Sequence, residues 1–322
     1  MDDLNDLNHA IESELQNVSF NVLKENTKQL QAKYRSPTPN AISLMQSKEE
    51  KLAYIGYRMK ATAGAIYHLM KGFEKEIPGF QVESLLDLGA GPGTSLWALP
   101  HLKKLTLIEK DKELIEMGKK LYSHSQNEKF SEINWVQGDF TNPSHYIKAD
   151  MLLFSYSFGE LNEERYISTL QASFDHADKY ILILEPGTPA GYQRIMKARQ
   201  YLIGLGMTTM APCPHDSPCP MIAPDWCHFS TRISRSSIQR ILKEGSMSYE
   251  DEKFSYILMS KTNLKRQVFR VLAEPEVLKE KITLKLCTPG GIEYRSILKR
   301  DKNSFKTVKK LKNGDNFIIE NN

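Results

Sequence analysis

The chain has 322 residues, of which 40% are hydrophobic and 25% are charged, proportions typical of a globular protein. No apolar run is long enough to span a bilayer, so the sequence excludes a membrane-spanning class and predicts no membrane partner. The first sixteen residues carry several acids and no Lys or Arg, whereas a secretory signal or a mitochondrial presequence needs basic residues. We therefore expect a cytoplasmic protein, of the kind found in bacteria.

Residues 1–80 predict a helical N-terminal region. Apolar residues recur at helical spacing between Asp6 and Lys33. The segment Ser47–Glu50 is typical of a capping box, and it begins a second helix that we expect to reach about Glu74. The first domain is thus expected to be a helical extension.

From Gln81 onward, short apolar runs alternate with helical stretches. This alternation predicts a parallel-dominated sheet with helices on both faces, that is, a Rossmann-like α/β fold. We predict that a second domain occupies residues 81–262 and carries a cysteine-rich insertion at 211–229. The expected strands are Ser84–Leu88, Lys104–Glu109, Ile133–Gln137, Asp150–Ser155, Tyr180–Glu185 and Phe254–Met259.

The end of the chain differs in pattern and in charge. From Lys261 onward there are fifteen Lys and Arg against seven Asp and Glu, a net charge of +8, while the preceding residues sum to −4. The sequence predicts a small basic β domain at 263–322, which is either a nucleic-acid-binding surface or a solubilising one. Its expected elements are the strands Ile282–Leu286, Ile292–Ile297 and Phe305–Lys309, with Thr288–Gly291 joining the first two as a hairpin.

A glycine-rich turn, Asp87-Leu88-Gly89-Ala90-Gly91-Pro92-Gly93, follows the first expected strand. Glycines let the backbone turn sharply and let a ligand approach closely, and the helix after them offers free N–H groups. Glu109, at the end of the second strand, is placed to bind both hydroxyls of an adenosine ribose. Dinucleotide binding would need a third glycine where Thr94 stands, so the pattern favours S-adenosylmethionine.

Two residues after the third strand complete the expected cofactor site. Asp139 is placed to accept a hydrogen bond from the adenine amino group, and Phe140 is placed to lie beside the ring. The residues expected to contact S-adenosylmethionine are therefore Asp87, Gly89, Gly91, Gly93, Glu109, Asp139 and Phe140.

No catalytic residue is predicted. Methyl transfer from a sulfonium can run on alignment of the reactants alone. The run Ser155–Leu161 after the fourth strand lacks the Asn/Asp-Pro-Pro-Tyr sequence of many enzymes that methylate amino nitrogens. Glu160 within that run fits a surface helix equally well.

The four cysteines are Cys213, Cys219, Cys227 and Cys287, three of them within fifteen residues. In a cytoplasmic chain, clustered cysteines favour metal or redox chemistry over structural disulfides. Four thiolates can hold Zn²⁺ or an iron–sulfur cluster, and wide spacing with flanking prolines favours iron–sulfur over the close pairs typical of zinc. His215 and His228 are alternative ligands, and four free or buried thiols are the simpler interpretation.

These segments together resemble one family, the Rsm22 proteins of the small ribosomal subunit, whose animal relative is methyltransferase-like protein 17. The resemblance extends from about Glu50 to about Asp301. It rests on Asp87–Gly93, Glu185–Gly191, Ala211–Asp216, Asp225–Phe229, Tyr249–Tyr256, Leu286–Pro289 and the earlier helix Ala53–Met59.

The resemblance implies a class I methyltransferase fold, an iron–sulfur cluster of the 4Fe–4S type, and association with the small ribosomal subunit and its rRNA. It implies that the four cysteines are the cluster ligands, with Cys287 tying the C-terminal domain to the main one. We expect an S-adenosylmethionine-dependent rRNA methyltransferase. The alternative is a non-catalytic assembly or translation factor that keeps the fold and binds rRNA, and DNA is not an expected partner.

Overall fold

A computed structural model describes residues 4–35, 45–99, 102–125, 130–262 and 268–318. The chain divides into two compact units. Unit 1 comprises Met1–Asp178 and Thr231–Glu252, and unit 2 comprises Lys179–Ser230 and Lys253–Asn322. Within the described ranges, no helix is both long enough and apolar enough to cross a membrane.

The helices and strands follow one another along the chain in the order expected of an α/β protein. The α-helices are α1 (Asn5–Leu15), α2 (Phe20–Arg35), α3 (Lys48–Tyr54), α4 (Lys60–Glu76), α5 (Ser95–Ala98), α6 (Lys112–Ser123), α7 (Glu163–His176), α8 (Pro189–Gly204), α9 (Ser237–Leu242) and α10 (Lys302–Val308). The strands are β1 (Ser84–Leu88), β2 (Lys104–Glu109), β3 (Glu132–Gln137), β4 (Ala149–Ser155), β5 (Ala177–Pro186), β6 (Thr208–Ala211), β7 (Phe229–Ser234), β8 (Tyr249–Ser260), β9 (Phe269–Val271), β10 (Glu276–Val277), β11 (Lys281–Thr288), β12 (Gly291–Leu298) and β13 (Asn316–Phe317).

The N-terminal stretch from Asp6 to Lys33 is helical, as its spacing predicts, but it forms two helices and not one. Asn17 and Ser19 lie between α1 and α2. Side chains of these types hydrogen-bond to the nearby backbone in non-helical conformations, and they therefore favour caps and turns over helix interiors. The break in the helix follows from these two residues.

The predicted start of the next helix is confirmed. Ser47 Oγ accepts a hydrogen bond from the N–H of Glu50 at 3.1 Å, and Glu50 in turn accepts from the N–H of Gln46 at 2.7 Å. α3 then continues through a π-helical turn, Ile55–Met59, into α4. Single π-helical turns of this kind occur frequently at functional sites.

Within unit 1, four strands pair in parallel in the order β3-β2-β1-β4. Parallel neighbours need crossover connections, which explains why helices alternate with these strands. β1 has β2 on one side and β4 on the other, so the order of the strands reverses at β1. In Rossmann-like folds ligands bind at this point, beyond the carboxyl ends of the strands. The predicted Rossmann-like α/β fold is confirmed, and its glycine turn lies at that edge.

Within unit 2, β8 pairs antiparallel with β5 and with β6. α8 connects β5 to β6, and Thr188 caps it by accepting from the N–H of Gly191 at 3.1 Å. A Cβ atom at Gly191 would lie 2.0 Å from the carbonyl oxygen of Pro186. Only glycine allows this approach, so Gly191 fixes where α8 begins relative to the end of β5.

The five strands β9 to β13 form a second sheet in unit 2, and all their pairings are antiparallel. β11 and β12 form the predicted hairpin, in which Thr288 pairs with Gly291. The buried side chains of this sheet are Val271, Ile282, Leu284, Leu286 and Val308.

One predicted strand is wrong, because residues 305–309 lie in and directly after α10. Phe305 and Val308 both pack into the core of the second sheet, and Leu311 follows at the same spacing. A strand would point Phe305 and Val308 to opposite faces, whereas a helix places residues three apart on one face. The spacing of these apolar residues, and not their number, distinguishes a helix from a strand in this segment.

Candidate cofactor loop and cysteine site

The turn after β1 contains three glycines, and only two of them are also required by packing. Gly89, Gly91 and Gly93 all have positive φ angles, of 79°, 56° and 74°. A Cβ at Gly89 would lie 2.6 Å from the Cβ of Ser157, and one at Gly93 would lie 2.7 Å from the Trp135 ring. At Gly91 no atom lies within 4 Å of the added Cβ. Gly89 and Gly93 are thus fixed by packing, whereas Gly91 stands at the open crest of the loop.

Glu109 holds this loop to the end of β2. Its side chain is 8% exposed, and its two carboxylate oxygens accept from the N–H groups of Gly91 and Asp111, each at 2.9 Å. A carboxylate oxygen has a second lone pair, so each oxygen keeps capacity to accept from a ribose hydroxyl. The structure therefore gives Glu109 a loop-holding role beside the predicted cofactor role.

Asp87 lies inside the protein, at 2% exposure, and accepts a 2.5 Å hydrogen bond from Ser95 Oγ. This bond ties the end of β1 to the start of α5. Burial raises the pKa of Asp87 to about 7, the Ser95 hydrogen bond opposes the rise, and the negative charge of Glu109 adds to it. Asp87 thus supports the loop from the interior.

Asp139 and Phe140 follow β3 and lie in different surroundings. Asp139 accepts from the N–H of Thr141 at 2.9 Å and pairs with Arg165 at 3.2 Å on the surface. Phe140 is buried and packs edge-on against Phe154, with 6.1 Å between the ring centroids. Its ring edge would also lie 3.2 Å from a Cβ at Gly89. The structure thus brings Phe140 to the glycine loop and leaves Asp139 accessible.

A cluster of side chains at the carboxyl end of β4 matches no sequence motif. Tyr156 has a φ of 60°, a strained conformation for a residue with a Cβ, and its hydroxyl donates to Glu252 at 2.8 Å. Arg58 donates two hydrogen bonds to the same carboxylate, at 2.7 and 2.6 Å, and lies 4.9 Å from the Tyr156 ring centroid. Arg58 comes from the π-helical turn. The structure thus fixes Tyr156 in a strained conformation at this edge of the sheet, and nothing in the local sequence indicates it.

The cysteine site lies in unit 2. Cys213, Cys219 and Cys227 lie in the connection between β6 and β7, and Cys287 lies on β11. The four side chains form no disulfide with one another, and they line one pocket together with apolar residues such as Met221. Among the described residues, no three His, Cys, Asp or Glu side chains are close enough to hold a single metal ion. The fold thus gathers the four predicted ligands around one space.

The pKa values of these thiols depend on their burial and on the charges around them. Burial, together with negative charge on Cys213 and Cys219, raises the pKa of Cys287 to about 12, although two buried arginines, Arg199 and Arg270, act in the opposite direction. Burial and the other three cysteines also raise the pKa of Cys227 well above its usual range. All four thiols nevertheless line one pocket, and thiolates are the ligands that zinc and iron–sulfur centres take. The donor set therefore fits a thiolate-bound metal centre.

The two histidines differ in their relation to this site. Nε2 of His215 lies 3.7 Å from Cys287 Sγ. His228 instead makes a 3.1 Å contact from Nδ1 to the carbonyl oxygen of Trp226, and its ring lies beside the indole of that residue. His215 is thus placed at the thiols, whereas His228 is held by its neighbour in the chain.

Asp87→Asn tests the buried carboxyl by its pH dependence. The folded-state pKa lies above the usual value of about 3.9, so the folded protein binds the proton more tightly and ionisation opposes folding. Wild-type stability should fall as the pH rises from about 4 to about 7, by up to about 4 kcal/mol from this group. In urea unfolding across this pH range, the free energy of unfolding of Asp87→Asn should rise by that amount relative to the wild-type protein.

The control is Ser95→Ala, which leaves the carboxyl ionisable and should preserve the pH-dependent loss. A difference between Asp87→Asn and wild type that is constant with pH would contradict this account of Asp87.

The family model described as mitochondrial small ribosomal subunit Rsm22 matches residues 48–318. Human METTL17, named a mitochondrial ribosome assembly protein, is 23% identical over 271 residues, which cover 77% of this chain and 57% of the human protein. Rsm22-cox11 tandem protein 2 of Schizosaccharomyces pombe, also named mitochondrial, is 23% identical over 239 residues, covering 65% of this chain and 32% of that protein. The chain thus spans only part of the length of these relatives.

The chain also aligns with solved structures, at low sequence identity and low TM-score. Magnesium protoporphyrin IX methyltransferase from Synechocystis, with bound SAH, aligns with a TM-score of 0.41 at 10% identity, covering 73% of this chain and 93% of that one. Fibrillarin from Aeropyrum pernix, with bound S-adenosyl-L-methionine, aligns with a TM-score of 0.38 at 12% identity, covering 62% of this chain and 76% of that one. Because the family match covers most of the sequence, this chain, with its Rossmann-like α/β fold, belongs to the Rsm22 family.

Proposed function

We propose that this protein is an assembly factor of the small ribosomal subunit that binds rRNA, S-adenosylmethionine and an iron–sulfur cluster. One observation carries the proposal: a single family match, residues 48–318, contains both the glycine loop and all four cysteines, and each set is gathered within one compact unit. The name of human METTL17 refers to ribosome assembly, and we extend that role to this chain. The cytoplasmic location expected from the sequence stays a prediction, since the relatives are named mitochondrial.

The glycine loop supports the cofactor assignment. The open crest at Gly91 leaves room for a ligand beside the backbone, and Glu109 lies directly behind it with lone pairs left for ribose hydroxyls. Thr94 stands where a dinucleotide-binding loop would have its third glycine. Asp139 would then accept a hydrogen bond from the adenine amino group, and Phe140 would lie beside the adenine ring.

Methyl transfer to rRNA is a second candidate function, and the retained loop favours it. When bound, S-adenosylmethionine supplies a methyl group that an unprotonated, correctly aligned nucleophile can take in line. The strained Tyr156, fixed by Glu252 and Arg58 at the end of β4, supports a role in orienting such a nucleophile. Both functions require binding to small-subunit rRNA, but only the second includes catalytic methyl transfer.

Gly91→Ala tests the cofactor loop. A Cβ at this position meets no protein atom but enters the space at the crest, so S-adenosylmethionine affinity should fall at least about tenfold, as measured by calorimetry. The left-handed backbone should cost about 1–2 kcal/mol of stability. Gly79→Ala is the matched control, since Gly79 also has a positive φ and open surroundings but lies before the amino end of β1.

Unchanged binding by Gly91→Ala would overturn the cofactor assignment. Transfer of labelled methyl groups to small-subunit RNA then separates the two functions. Transfer by the wild-type protein that Gly91→Ala loses supports the methyltransferase. A Gly91→Ala protein that loses the cofactor yet still associates with the subunit supports the assembly factor.

Cys287→Ser tests the metal centre. We expect the wild-type chain, purified without oxygen, to be brown and to contain iron, because iron–sulfur clusters absorb visible light and Zn²⁺ does not. Loss of one of four thiolates should remove most of the iron and the colour. Met221→Leu, which alters the same pocket but no thiol, should keep both. A colourless wild-type protein with one zinc would contradict the cluster.

The second sheet of unit 2 supports RNA binding. Between Glu276 and Lys312 there are eleven Lys and Arg against four Asp and Glu. Tyr294 on β12 is 70% exposed and is paired in register with Lys285 on β11. An exposed aromatic ring among cations suits stacking on an RNA base while the cations contact phosphates. The exposed cations are Lys279, Lys281, Lys299, Arg300, Lys302, Lys306, Lys309, Lys310 and Lys312.

Replacing Lys299, Arg300 and Lys302 together by Gln tests this surface. If each neutralises one phosphate, the slope of log affinity against log salt should fall by about 2, at about 0.7 for each phosphate, and binding should weaken at low salt. Fluorescence anisotropy with a small-subunit rRNA fragment measures both. The matched control replaces three lysines of unit 1, Lys28, Lys103 and Lys119, by Gln. Equal slopes for the two triple variants would place the RNA elsewhere.

A further inference from the structure

One face of α8 is directed at the cysteine site. Tyr192, Ile195 and Met196 line the pocket of the four thiols, and Arg199 follows at the same helical spacing. Tyr192 and Arg199 are buried, at 6% and 4% exposure. A buried hydroxyl and a buried guanidinium on the pocket-facing side of one helix need a reason, because burying polar groups costs free energy unless they are hydrogen-bonded or balanced by charge.

Tyr192 makes a direct contact with one of the thiols. Its hydroxyl donates a hydrogen bond to Cys219 Sγ at 3.3 Å. A donor at this position stabilises negative charge on the sulfur, and hydrogen bonds to ligand sulfurs are among the factors that set the reduction potential of iron–sulfur centres.

Arg199 acts on the loop that carries two of the thiols. Its Nη2 donates to the carbonyl oxygens of His215 at 2.7 Å and Ser217 at 2.9 Å, between Cys213 and Cys219 in the sequence. Its Nε is buried without a hydrogen-bond partner among the described residues, and no carboxylate in that part of the chain pairs with it. Thiolates of the proposed metal centre would supply the counter-charge for this buried cation, which acts to lower the pKa of Cys287.

We propose that Tyr192 and Arg199 are positioning residues of the cysteine site, which set the potential of the metal centre proposed above. The inference rests on that proposed function. Tyr192 favours the reduced state, because one-electron reduction adds one negative charge near Cys219 while the Tyr192 proton stays on its oxygen. Arg199 holds the 213–219 loop in its ligating conformation and offsets the negative charge of the thiolates.

Tyr192→Phe removes the donor and keeps the ring. In the full chain, purified and reduced without oxygen by stepwise addition of dithionite, iron content should stay at the wild-type level. The potential should move to more negative values, by about tenfold in the redox equilibrium constant or ~59 mV for one electron. The matched control is Tyr201→Phe, the same substitution on α8 at a residue that does not line the pocket, and it should leave the potential unchanged.

Arg199→Met and Arg199→Lys test the second residue. The Met variant should lower the iron bound per chain and move the potential in the same direction, and the Lys variant should restore at least part of both. A wild-type protein without iron would refute the proposed cluster itself. A wild-type protein that binds iron, with equal potentials in Tyr192→Phe and Tyr201→Phe, would overturn this inference and leave the cluster standing.

Discussion

The meeting of Cys287 with the other three thiols is the constraint on which unit 2 depends. Cys287 is part of β11 in the second sheet, whereas the other cysteines belong to the connection between β6 and β7. Four thiols can line one pocket only if the second sheet, this connection and α8 all take their places. A metal held by ligands from such separate segments contributes its binding free energy to folding. The proposed metal centre would thus also stabilise the fold of unit 2.

Unit 1 holds its loop by different means. Asp87 is tied to Ser95, and Glu109 to the N–H groups of Gly91 and Asp111, so the glycine loop is shaped by hydrogen bonds within the protein. A loop held in this way before a ligand arrives needs little ordering when it binds, which favours affinity. Although the N–H of Gly91 is held by Glu109, no atom packs against the position of a Cβ at Gly91, so the loop is open there.

Much of this fold follows from the sequence. Strands β1 to β5 lie close to where their apolar runs predict. β1, β2 and β4 are buried along most of their length, because a parallel sheet buries both faces and so leaves continuous hydrophobic stretches. The prediction is wrong at α10, where apolar content is ambiguous and only the spacing of Phe305 and Val308 identifies a helix. The seven cofactor residues and the four ligands follow from motifs and from the family resemblance, and their roles stay predictions.

The residues that surround the sites could not be found in this way. Arg199, Arg270 and Tyr156 match no motif, and each is significant only through contacts with residues far away in the sequence. A period of three or four along α8 does link Tyr192 to Arg199, but amphipathic helices show the same period for ordinary packing. Burial of a charged side chain is the informative observation, and it is a property of the tertiary structure.

The buried positive charges in unit 2 are relevant to whether the four cysteines are thiols or metal-bound thiolates. Arg199 and Arg270 are both buried, at 4% and 5% exposure, and Arg199 donates only to carbonyl oxygens among the described residues. If the cysteines were neutral thiols, the charge of Arg199 would be buried without a paired carboxylate among the described residues, which is costly. Four thiolates around a metal centre would balance that charge, and the arginines would in turn ease their ionisation. A thiolate-bound metal centre, as proposed, would therefore give Arg199 its counter-charge, whichever metal the site contains.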